Sequence, residues 1–452
     1  MFNEILNEQQ KFYSTYKTRD YFYRLEKLKQ LKAVIIRNEE RIKKALFLDL
    51  SKSSGESYVT EISLVLSELN YLIKNLKKFM KPEKTKSSLA VFPAKSYHYY
   101  EPLGTVLVIS PWNYPFLLSL NPVIGAVASG NTVILKPSEF SVNTTKILIK
   151  IINEVFQKNE VFVVEGEVKE TTELLKLNFD YIFFTGSTKV GKVVMKAASE
   201  NLTPVTLELG GKSPAIIYPD AKFNQAVKRI VYGKLVNAGQ TCIAPDYVMI
   251  KESMIDDFIR EYKKNVELFY TTNPLDNTHY PKIISEAHHT RLTNLYKNEE
   301  VVLGGKSSKD KIEPTLVLIK DMNSDIMNEE IFGPILPIMI CKNEEDILNQ
   351  INKNHKPLAL YAFTKSNETK KSIINKTSSG AITFNDTIMH FANHHLSFGG
   401  VGNSGVGKYH GAETFKTFSH KKAILDRKTF LDIKLRYFPI SKKKENIIRK
   451  IL

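Results

Sequence analysis

The apolar positions of the chain form two successive patterns. Over roughly the first 80 residues they recur at helical spacing, and in 62–79 they fall on one helical face. From residue 104 onward, short apolar runs closed by Gly, Pro or Ser alternate with helix-length segments. This alternation predicts βαβ units and a parallel sheet. The residues of the helical face are Ile62, Val65, Leu66, Leu69, Leu72, Ile73, Leu76 and Phe79.

Two series of predicted strands follow one another along the chain. We therefore expect two successive α/β domains that meet near Gly210–Gly211. The first series comprises 105–110, 132–137, 161–166, 181–186 and 205–211, and the second comprises 213–219, 335–340, 358–364 and 380–385. Helix-length segments of the second series include 223–236, 253–268 and 366–377.

One stretch without charged residues, Pro102 to Leu135, has the length of a membrane span. Four prolines interrupt it, and three asparagines would each need a polar partner in lipid. A strand, turn, helix and strand buried in a parallel sheet explains the stretch better. We expect no transmembrane segment.

Composition places the chain among ordinary globular proteins of more than one domain. Its 452 residues are 42% hydrophobic and 25% charged. Cys242 and Cys341 are the only cysteines, too few for a disulfide framework, which predicts a reducing, cytoplasmic location. Acidic residues occur early in residues 1–13, which lack the apolar core of a secretory signal.

The net charge of +16 raises the question of nucleic-acid binding. Residues 416–452 hold twelve Lys/Arg against three Asp/Glu and so carry +9 of this charge. No zinc-finger spacing or RNP-like run accompanies it. The pattern favours a solvated basic tail and no nucleic-acid partner, with weak peripheral contact to an anionic membrane left open.

Cys242 ends the polar run "NAGQTC" at 237–242. A reactive thiol needs a partly exposed, electropositive setting near backbone N–H groups, which this polar, Gly-containing run favours. We therefore predict that Cys242 is a nucleophile. Cys341 ends an apolar strand and has the setting of a buried, inert cysteine.

Glu208 and Asn113 are candidates for acid–base and oxyanion chemistry. Glu208 lies in the apolar run "VTLELGG", where burial raises the pKa of a carboxyl toward neutrality and suits it to act as a general base. The alternative is an exposed face of an edge strand. Asn113, in "WNYP" after the first strand, offers an amide donor for a developing oxyanion.

Three turns offer groups that suit a phosphate or sugar ligand. Lys136 and Glu139 end a strand in "LKPSE", although a surface turn is the simpler interpretation of that motif alone. In "FTGSTKVGK", Gly186 permits close backbone approach, and the following helix N-terminus favours an anion. "EEIFGP" at 329–334 adds an acid and an aromatic ring, or is an ordinary loop.

Histidines cluster in two places, and we predict that neither cluster binds a metal. Neither has a carboxylate or cysteine at ligand spacing in the sequence. The clusters are His390, His394 and His395 in one segment and His288 and His289 in another.

Taken together, the chain from about residue 8 to about residue 440 resembles the aldehyde dehydrogenase superfamily, and its class 3 branch in particular. The order of the motifs carries the resemblance. They are "PWNYPF", "GNTVILKPSE", "FFTGSTKVGK", "TLELGGKSP", "NAGQTCIAPDY", "EEIFGPILP" and "FNDTIMH…SFGGVGNSGVGKYHG".

The resemblance implies catalytic roles for three residues and a bracing role for a fourth. Cys242 corresponds to the nucleophile and Glu208 to the general base. Asn113 and the backbone N–H of Cys242 would form the oxyanion hole. Asn385 lies in the motif that braces the catalytic loop. Ser397 departs from the family, which usually has Pro there, and so leaves the substrate specificity open.

The resemblance also implies a bound NAD, with NADP tolerated. Its binding residues would be Trp112, Lys136, Glu139, Gly186, Ser187, Val190, Glu330 and Phe332. In the family, Lys136 and Glu139 correspond to the adenosine ribose site, Gly186 and Ser187 to the pyrophosphate site, and Val190 to the adenine site. Glu330 corresponds to the nicotinamide ribose site, and Phe332 to the ring beside the nicotinamide.

The implied architecture is a Rossmann-like NAD-binding domain plus an α/β catalytic domain, with a small β oligomerisation arm. A short N-terminus and the arm imply a class 3-like homodimer. The expected divisions are 1–85 and 104–209 for NAD binding, 210–395 for catalysis, 86–103 and 396–430 for the arm, and 431–452 for the basic tail.

The implied reaction is oxidation of an aldehyde, of medium or long aliphatic chain or aromatic, to a carboxylic acid through a thiohemiacetal and a thioester. Two other functions stay open from the residues. One is an acyl-transferring or hydrolytic cysteine enzyme that uses Cys242 without a nicotinamide. The other is a basic binding protein whose tail holds nucleic acid or anionic lipid.

Overall fold

A computed structural model describes residues 2–321, 323–353 and 355–451. Its α-helices are α1 (Phe2–Tyr13), α2 (Tyr21–Arg37), α3 (Glu39–Leu50), α4 (Ser54–Ser57), α5 (Ser63–Phe79), α6 (Pro115–Ser129), α7 (Val142–Val155), α8 (Val168–Leu174), α9 (Thr188–Glu200), α10 (Phe223–Leu235), α11 (Ile255–Tyr270), α12 (Glu286–Tyr296), α13 (Asp325–Asn328), α14 (Glu344–Lys353), α15 (Asn367–Lys376), α16 (Ala412–Thr417) and α17 (Lys442–Ile451). A π-helical turn, Tyr58–Ile62, leads into α5.

The strands form three sheets. They are β1 (Glu83–Thr85), β2 (Ala94–Pro102), β3 (Thr105–Ile109), β4 (Thr132–Lys136), β5 (Val161–Val163), β6 (Tyr181–Thr185), β7 (Val205–Glu208), β8 (Pro214–Ile217), β9 (Tyr247–Ile250), β10 (Glu300–Leu303), β11 (Thr315–Leu318), β12 (Ile335–Ile340), β13 (Ala359–Phe363), β14 (Ala381–Phe384), β15 (Gly405–Val406) and β16 (Ser419–Arg427).

The first sheet has the strand order β15-β7-β6-β3-β4-β5, and only β15 is antiparallel to its neighbour. In chain order, its five parallel strands are arranged 3-2-1-4-5, as in a doubly wound nucleotide-binding sheet. The order reverses between β3 and β6. The carboxyl ends of these two strands therefore border the crevice where such sheets bind ligands.

The charge-free stretch forms the centre of this sheet. Every residue of β3, β4, β6 and α6 is buried, as expected for a parallel sheet covered on both faces. The predicted strand, turn, helix and strand are confirmed. Among the described helices, none combines the length and the apolarity needed to cross a bilayer.

The second sheet has the order β10-β11-β12-β9-β8-β13-β14, and only β10 runs antiparallel to its neighbour. The predicted α/β class with parallel sheets is confirmed. Three of the strands, β9, β10 and β11, were not among the predicted runs. Each is only four residues long, so its apolar signal is weak.

The third sheet is antiparallel, with β2 between β1 and β16. All nine residues of β2 pair with β16, from Ala94 opposite Arg427 to Pro102 opposite Ser419. The partner of the predicted arm is thus 419–427. By contrast, Gly405–Val406 pairs with β7, so this part of the expected arm lies against the first sheet.

The basic tail ends in helix α17, which packs little against the rest of the chain. Most of its described side chains are exposed, and so are large apolar side chains just before it. Phe430 is 78% exposed and Phe438 is 87% exposed, which is unusual for phenylalanine. The tail therefore presents cationic and apolar groups together.

Candidate active site

Cys242 and Glu208 line one cavity of about 350 Å³. Glu208 ends β7 of the first sheet, whereas Cys242 lies in the loop between α10 and β9 of the second sheet. The remainder of the wall is mainly aliphatic and aromatic. It includes Val59, Leu64, Leu117, Leu118, Ile243 and Phe398. A thiol and a carboxyl thus share an apolar, enclosed site.

The loop before Cys242 has a strained backbone. Asn237 and Ala238 adopt left-handed conformations, with φ of 54° and 50°. Such conformations persist where neighbouring contacts hold them. The Asn237 side chain donates to the carbonyl of Asn113 at 2.7 Å and to that of Gln240 at 3.1 Å. These bonds fix the loop that presents the thiol.

The electrostatic setting of Cys242 differs from the sequence expectation. Burial, together with the nearby Glu330 and Glu208, raises the pKa of the thiol to about 12. Backbone N–H groups of Cys242 and Ile243 act in the opposite direction but do not outweigh burial. The predicted electropositive setting is therefore wrong, because acids and apolar groups surround this partly exposed thiol.

The Glu208 carboxyl group is buried and has no hydrogen-bond partner. The residue is 2% exposed, and both of its carboxyl oxygens lack a donor. Burial raises the pKa of Glu208 well above its usual value, the direction expected from the sequence. The alternative of an exposed edge strand is wrong, because β7 lies between β6 and β15. The apolar surroundings of Glu208 therefore favour its neutral form.

Asn113 lies beneath the Cys242 loop. Its amide nitrogen donates to the Gln240 carbonyl at 3.0 Å, two residues before Cys242. A side-chain amide carries two N–H donors, so one remains for another acceptor. Asn113 itself does not line the cavity in this structure, since the amide contacts the loop backbone.

Lys52 and Glu61 form a buried ion pair that sequence reasoning missed. Their charged atoms are 2.7 Å apart, and neither side chain is exposed. Lys52 also donates to the Asn113 carbonyl at 2.9 Å, and Glu61 accepts from the backbone N–H groups of Phe116 and Leu117. Nothing in the sequence separates these charges from the many solvated charges of the helical region.

Asn385 links two distant segments, whereas Lys136 makes only local contacts. Asn385 exchanges two hydrogen bonds with the backbone of Thr364, and its carbonyl accepts from Arg229 of α10. Lys136, at the end of β4, is buried and donates to the Pro137 carbonyl at 2.7 Å. Its amine lies 4.0 Å from the carboxylate of Glu139.

Gly186, Ser187 and Val190 lie where β6 leads into α9. The Ser187 side chain accepts from the Val190 backbone N–H at 3.3 Å and caps the helix. A Cβ atom on Gly186 would lie 2.5 Å from the Phe184 ring, so only glycine fits there. The start of α9 therefore faces the crevice between β3 and β6.

Trp112, Glu330 and Phe332 converge on the same crevice. The rings of Trp112 and Phe332 meet edge to face at 5.4 Å. A Cβ atom on Gly210 would lie 2.1 Å from the Glu330 carboxyl, so the glycine leaves room for that acid. Burial, together with the nearby Asp246, raises the pKa of Glu330 to about 8.

One histidine cluster contains a carboxylate that the sequence did not reveal. Glu68 of α5 lies beside His394 and His410, with potential ligand atoms within 4.8 Å of one another. The expectation that no carboxylate lies near this histidine cluster is therefore wrong. The two imidazole rings are stacked at 4.7 Å, so their in-plane lone pairs do not converge on one point. The absence of a metal site remains a prediction.

The residues around the crevice fit a dinucleotide. The Trp112 ring follows β3, and the Lys136 amine with the Glu139 carboxylate lies at the end of β4. The N-terminus of α9, capped by Ser187, follows β6. The Thr185 hydroxyl at the end of β6 is buried without a partner. These groups suit sugar hydroxyls, phosphates and a flat ring.

The chain matches the family described as "Aldehyde dehydrogenase family" over residues 2–424. It belongs to this family. As a member, the chain is an NAD(P)-dependent enzyme that oxidises aldehydes. The fold and the family predicted from the motifs are therefore confirmed.

Known relatives agree with this assignment. The chain is 45% identical to 4,4'-diaponeurosporen-aldehyde dehydrogenase of Staphylococcus aureus, over 93% of each chain. It is 43% identical to aldehyde dehydrogenase family 3 member A2 of Mus musculus, over 98% of this chain and 92% of that one. The enzyme is thus class 3-like. A solved Staphylococcus aureus AldH structure, described as substrate bound, has a TM-score of 0.97 and 42% identity over the whole of both chains.

The raised thiol pKa makes a prediction about alkylation. Because the thiolate is the nucleophile, modification of Cys242 by iodoacetamide should accelerate about tenfold per pH unit from about pH 7 to about pH 10. Cys341 has a similar pKa, raised to about 12, but is only 3% exposed and should stay unmodified until unfolding. Peptide mass mapping over a pH series measures both rates. A Cys242 rate independent of pH would contradict the raised pKa.

Proposed function

We propose that Cys242, Glu208 and Asn113 carry out the aldehyde oxidation. The observation that carries this proposal is the shared cavity: Cys242 and Glu208 line it together, and Asn113 hydrogen-bonds the loop that presents the thiol. A nucleophile and a buried acid–base group in one enclosed site suit acyl chemistry.

In the proposed mechanism the Cys242 thiolate adds to the aldehyde carbon. The free N–H of the Asn113 amide and the Cys242 backbone N–H stabilise the oxygen that becomes negative in the thiohemiacetal. Since the thiol pKa is about 12, Cys242 must lose its proton first, and Glu208 in its ionised form is the acceptor in the same cavity. After Glu208 has released that proton to solvent, it takes a proton from the water that hydrolyses the Cys242 thioester.

NAD(P), when bound, supplies the hydride acceptor. Lys136 and Glu139 would hold its adenosine ribose, while Gly186, Ser187 and the start of α9 would receive the pyrophosphate. Val190 is 42% exposed and would lie under the adenine. Glu330 would bond the nicotinamide ribose, with Trp112 and Phe332 beside the nicotinamide.

The apolar cavity wall supports an aliphatic or aromatic aldehyde of medium or long chain as the substrate. Aliphatic and aromatic side chains surround Cys242, and a methylene group buried against them contributes about 0.8 kcal/mol. A hydrolytic cysteine enzyme would also use this thiol. Formation of NADH from aldehyde and NAD separates the two, since hydrolysis alone forms none.

We further propose the predicted division into an NAD-binding domain (1–85 and 104–209), a catalytic domain (210–395), an arm (86–103 and 396–430) and a tail (431–452). The two free cysteines support a reducing, cytoplasmic location. No feature of the described chain suggests a nucleic-acid module beyond the charge of the tail.

A homodimer is the expected assembly. Strand β16 is the outer strand of its sheet and pairs only with β2 in the described chain, so one edge is open to a second chain. Light scattering of the full chain should give twice the chain mass of 51.6 kDa. A mass of one chain at assay concentrations would contradict the dimer.

The tail should bind weakly to anionic membrane surfaces. Helix α17 carries Lys442, Lys443, Lys444, Arg449 and Lys450, and exposed phenylalanines precede it. Sedimentation with phosphatidylglycerol vesicles should retain the full chain at low salt, while phosphatidylcholine vesicles and deletion of 441–452 should abolish retention. Equal retention without 441–452 would exclude this role.

Replacement of Glu208 by Gln tests its role as the base. Glu208→Gln keeps the shape but removes the basicity, so steady-state turnover should fall by roughly 10²–10⁴-fold. A burst of NADH of up to one per Cys242 is conditional, since the same carboxyl also takes the Cys242 proton, so steady-state turnover is the deciding measurement. Glu200→Gln, at the exposed end of α9, is the control. Near-normal turnover of Glu208→Gln would overturn the assignment.

Replacement of Glu139 tests the choice of cofactor. Glu139 should repel the 2′-phosphate of NADP by like charge, whereas Lys136 tolerates it, so NAD should be preferred and NADP usable. Glu139→Gln should narrow the gap in kcat/KM between the two cofactors, and exposed Glu252→Gln should leave it unchanged. A stronger preference for NAD in Glu139→Gln would show that Lys136 and Glu139 do not contact the adenosine ribose.

A further inference from the structure

Segment 329–332 carries Glu330 and Phe332 but belongs to no helix or strand. Backbone carbonyls in irregular segments need partners from elsewhere. Here all four accept hydrogen bonds from side chains. The first, that of Glu329, accepts from the buried Lys212 amine at 3.0 Å. The other three accept from two residues of α12.

Arg291 of α12 binds the middle of the segment. Its guanidinium donates to the carbonyl of Glu330 at 3.3 Å and to that of Ile331. It also donates to the Glu329 carboxylate at 3.0 Å. A planar guanidinium can bond several acceptors in fixed directions, which a lysine amine cannot do. Arg291 therefore sets the direction of consecutive peptide groups.

His288 lies one helical turn before Arg291 on the same face of α12. Its Nε2 atom lies 2.9 Å from the Phe332 carbonyl, and its Nδ1 atom lies 3.4 Å from the Arg291 Nε atom. Burial, together with the charge of Arg291, lowers the pKa of His288 to about 4, so the ring is neutral at pH 7. Since a carbonyl only accepts, Nε2 carries the proton and Nδ1 accepts from Arg291.

Phe332 needs such support. Its φ of 56° lies in the left-handed region, which an aromatic residue adopts only where neighbouring contacts hold it. Its ring contacts Trp112, and the Trp112 ring in turn lies 5.7 Å from the ring of His288. His288 therefore contacts both the backbone and the ring partner of Phe332.

We propose that His288 and Arg291 are positioning residues that hold segment 329–332 and thereby aim Glu330 and Phe332 at the nicotinamide half of the cofactor. The inference rests on the proposed function for Glu330 and Phe332. Neither His288 nor Arg291 lines the cavity of Cys242, so their loss should affect hydride transfer and leave the thiol chemistry intact.

Two assays on the full chain separate these effects. Rapid mixing with NAD and aldehyde measures the first turnover of NADH. Hydrolysis of p-nitrophenyl acetate without NAD measures the chemistry at Cys242 without the cofactor. The thiolate takes the acetyl group as p-nitrophenolate leaves, and water then hydrolyses the acetyl thioester, which releases acetate and restores the thiol. Arg291→Met and His288→Ala should slow the first turnover by about 10²-fold, the cost of a misplacement near 1 Å, and leave ester hydrolysis unchanged.

A third readout needs neither cofactor nor substrate. Trp112 is the only tryptophan of the chain and touches both His288 and Phe332. Its quenching by acrylamide should increase in Arg291→Met and His288→Ala, because the released segment exposes the indole.

Conservative variants and matched controls sharpen the test. His288→Gln keeps an N–H donor and should recover part of the rate lost in His288→Ala, whereas Arg291→Lys should recover little. His289→Gln, whose ring lies 3.4 Å from the Lys311 carbonyl, and exposed Arg260→Met should match the parent enzyme in all readouts.

Two outcomes would overturn the proposal. One is a first-turnover rate in Arg291→Met and His288→Ala equal to that of the controls. The other is an equal loss of ester hydrolysis, which would indicate a general structural role. A failure of the proposed function would give a different result. In that case Cys242→Ser would keep the parental rates of ester hydrolysis and aldehyde oxidation. Trp112 quenching would still report whether His288 and Arg291 of α12 hold segment 329–332.

Discussion

The arrangement of the site depends on the backbone carbonyl of Asn113. It accepts from Lys52 of the helical region and from Asn237 of the Cys242 loop, and the Asn113 side chain donates back to that loop. One peptide group therefore joins the first sheet to the segment that follows α10. Lys52 is neutralised by Glu61, so the charge of its amine strengthens the bond without leaving an unpaired ion in the interior.

Stability and reactivity make opposite demands on Glu208 and Cys242. Glu208 and Cys242 are in apolar surroundings that favour their neutral forms, although the proposed chemistry needs each of them ionised in turn. A buried carboxyl without a hydrogen-bond partner costs free energy in the resting protein. Such cost is a common property of reactive sites, because a group that is already well bonded has less tendency to react.

The parts of the fold that depend on local pattern were predictable. Strands such as Thr105–Ile109 and the entirely buried α6 follow from apolar runs and their closing residues. Glu208 and Cys242 were proposed as the catalytic pair because they lie in distinctive motifs, and the structure places both on one cavity. Contacts between distant segments were not predictable. Lys52 contacts Asn113 and Glu68 contacts His410, although no sequence periodicity relates the two residues of either pair. The pKa of Cys242 was wrongly anticipated for the same reason, since Glu330 approaches it from a distant loop.

The apolar wall of the cavity has a consequence for the direction of the reaction. The aldehyde that enters is neutral, whereas the acid that forms is an anion at pH 7. An anion in such surroundings loses most of its hydration, and no described cationic side chain lines this cavity to replace it. The product should therefore leave readily, and free carboxylates should compete poorly with the aldehyde even when they have the same hydrocarbon chain.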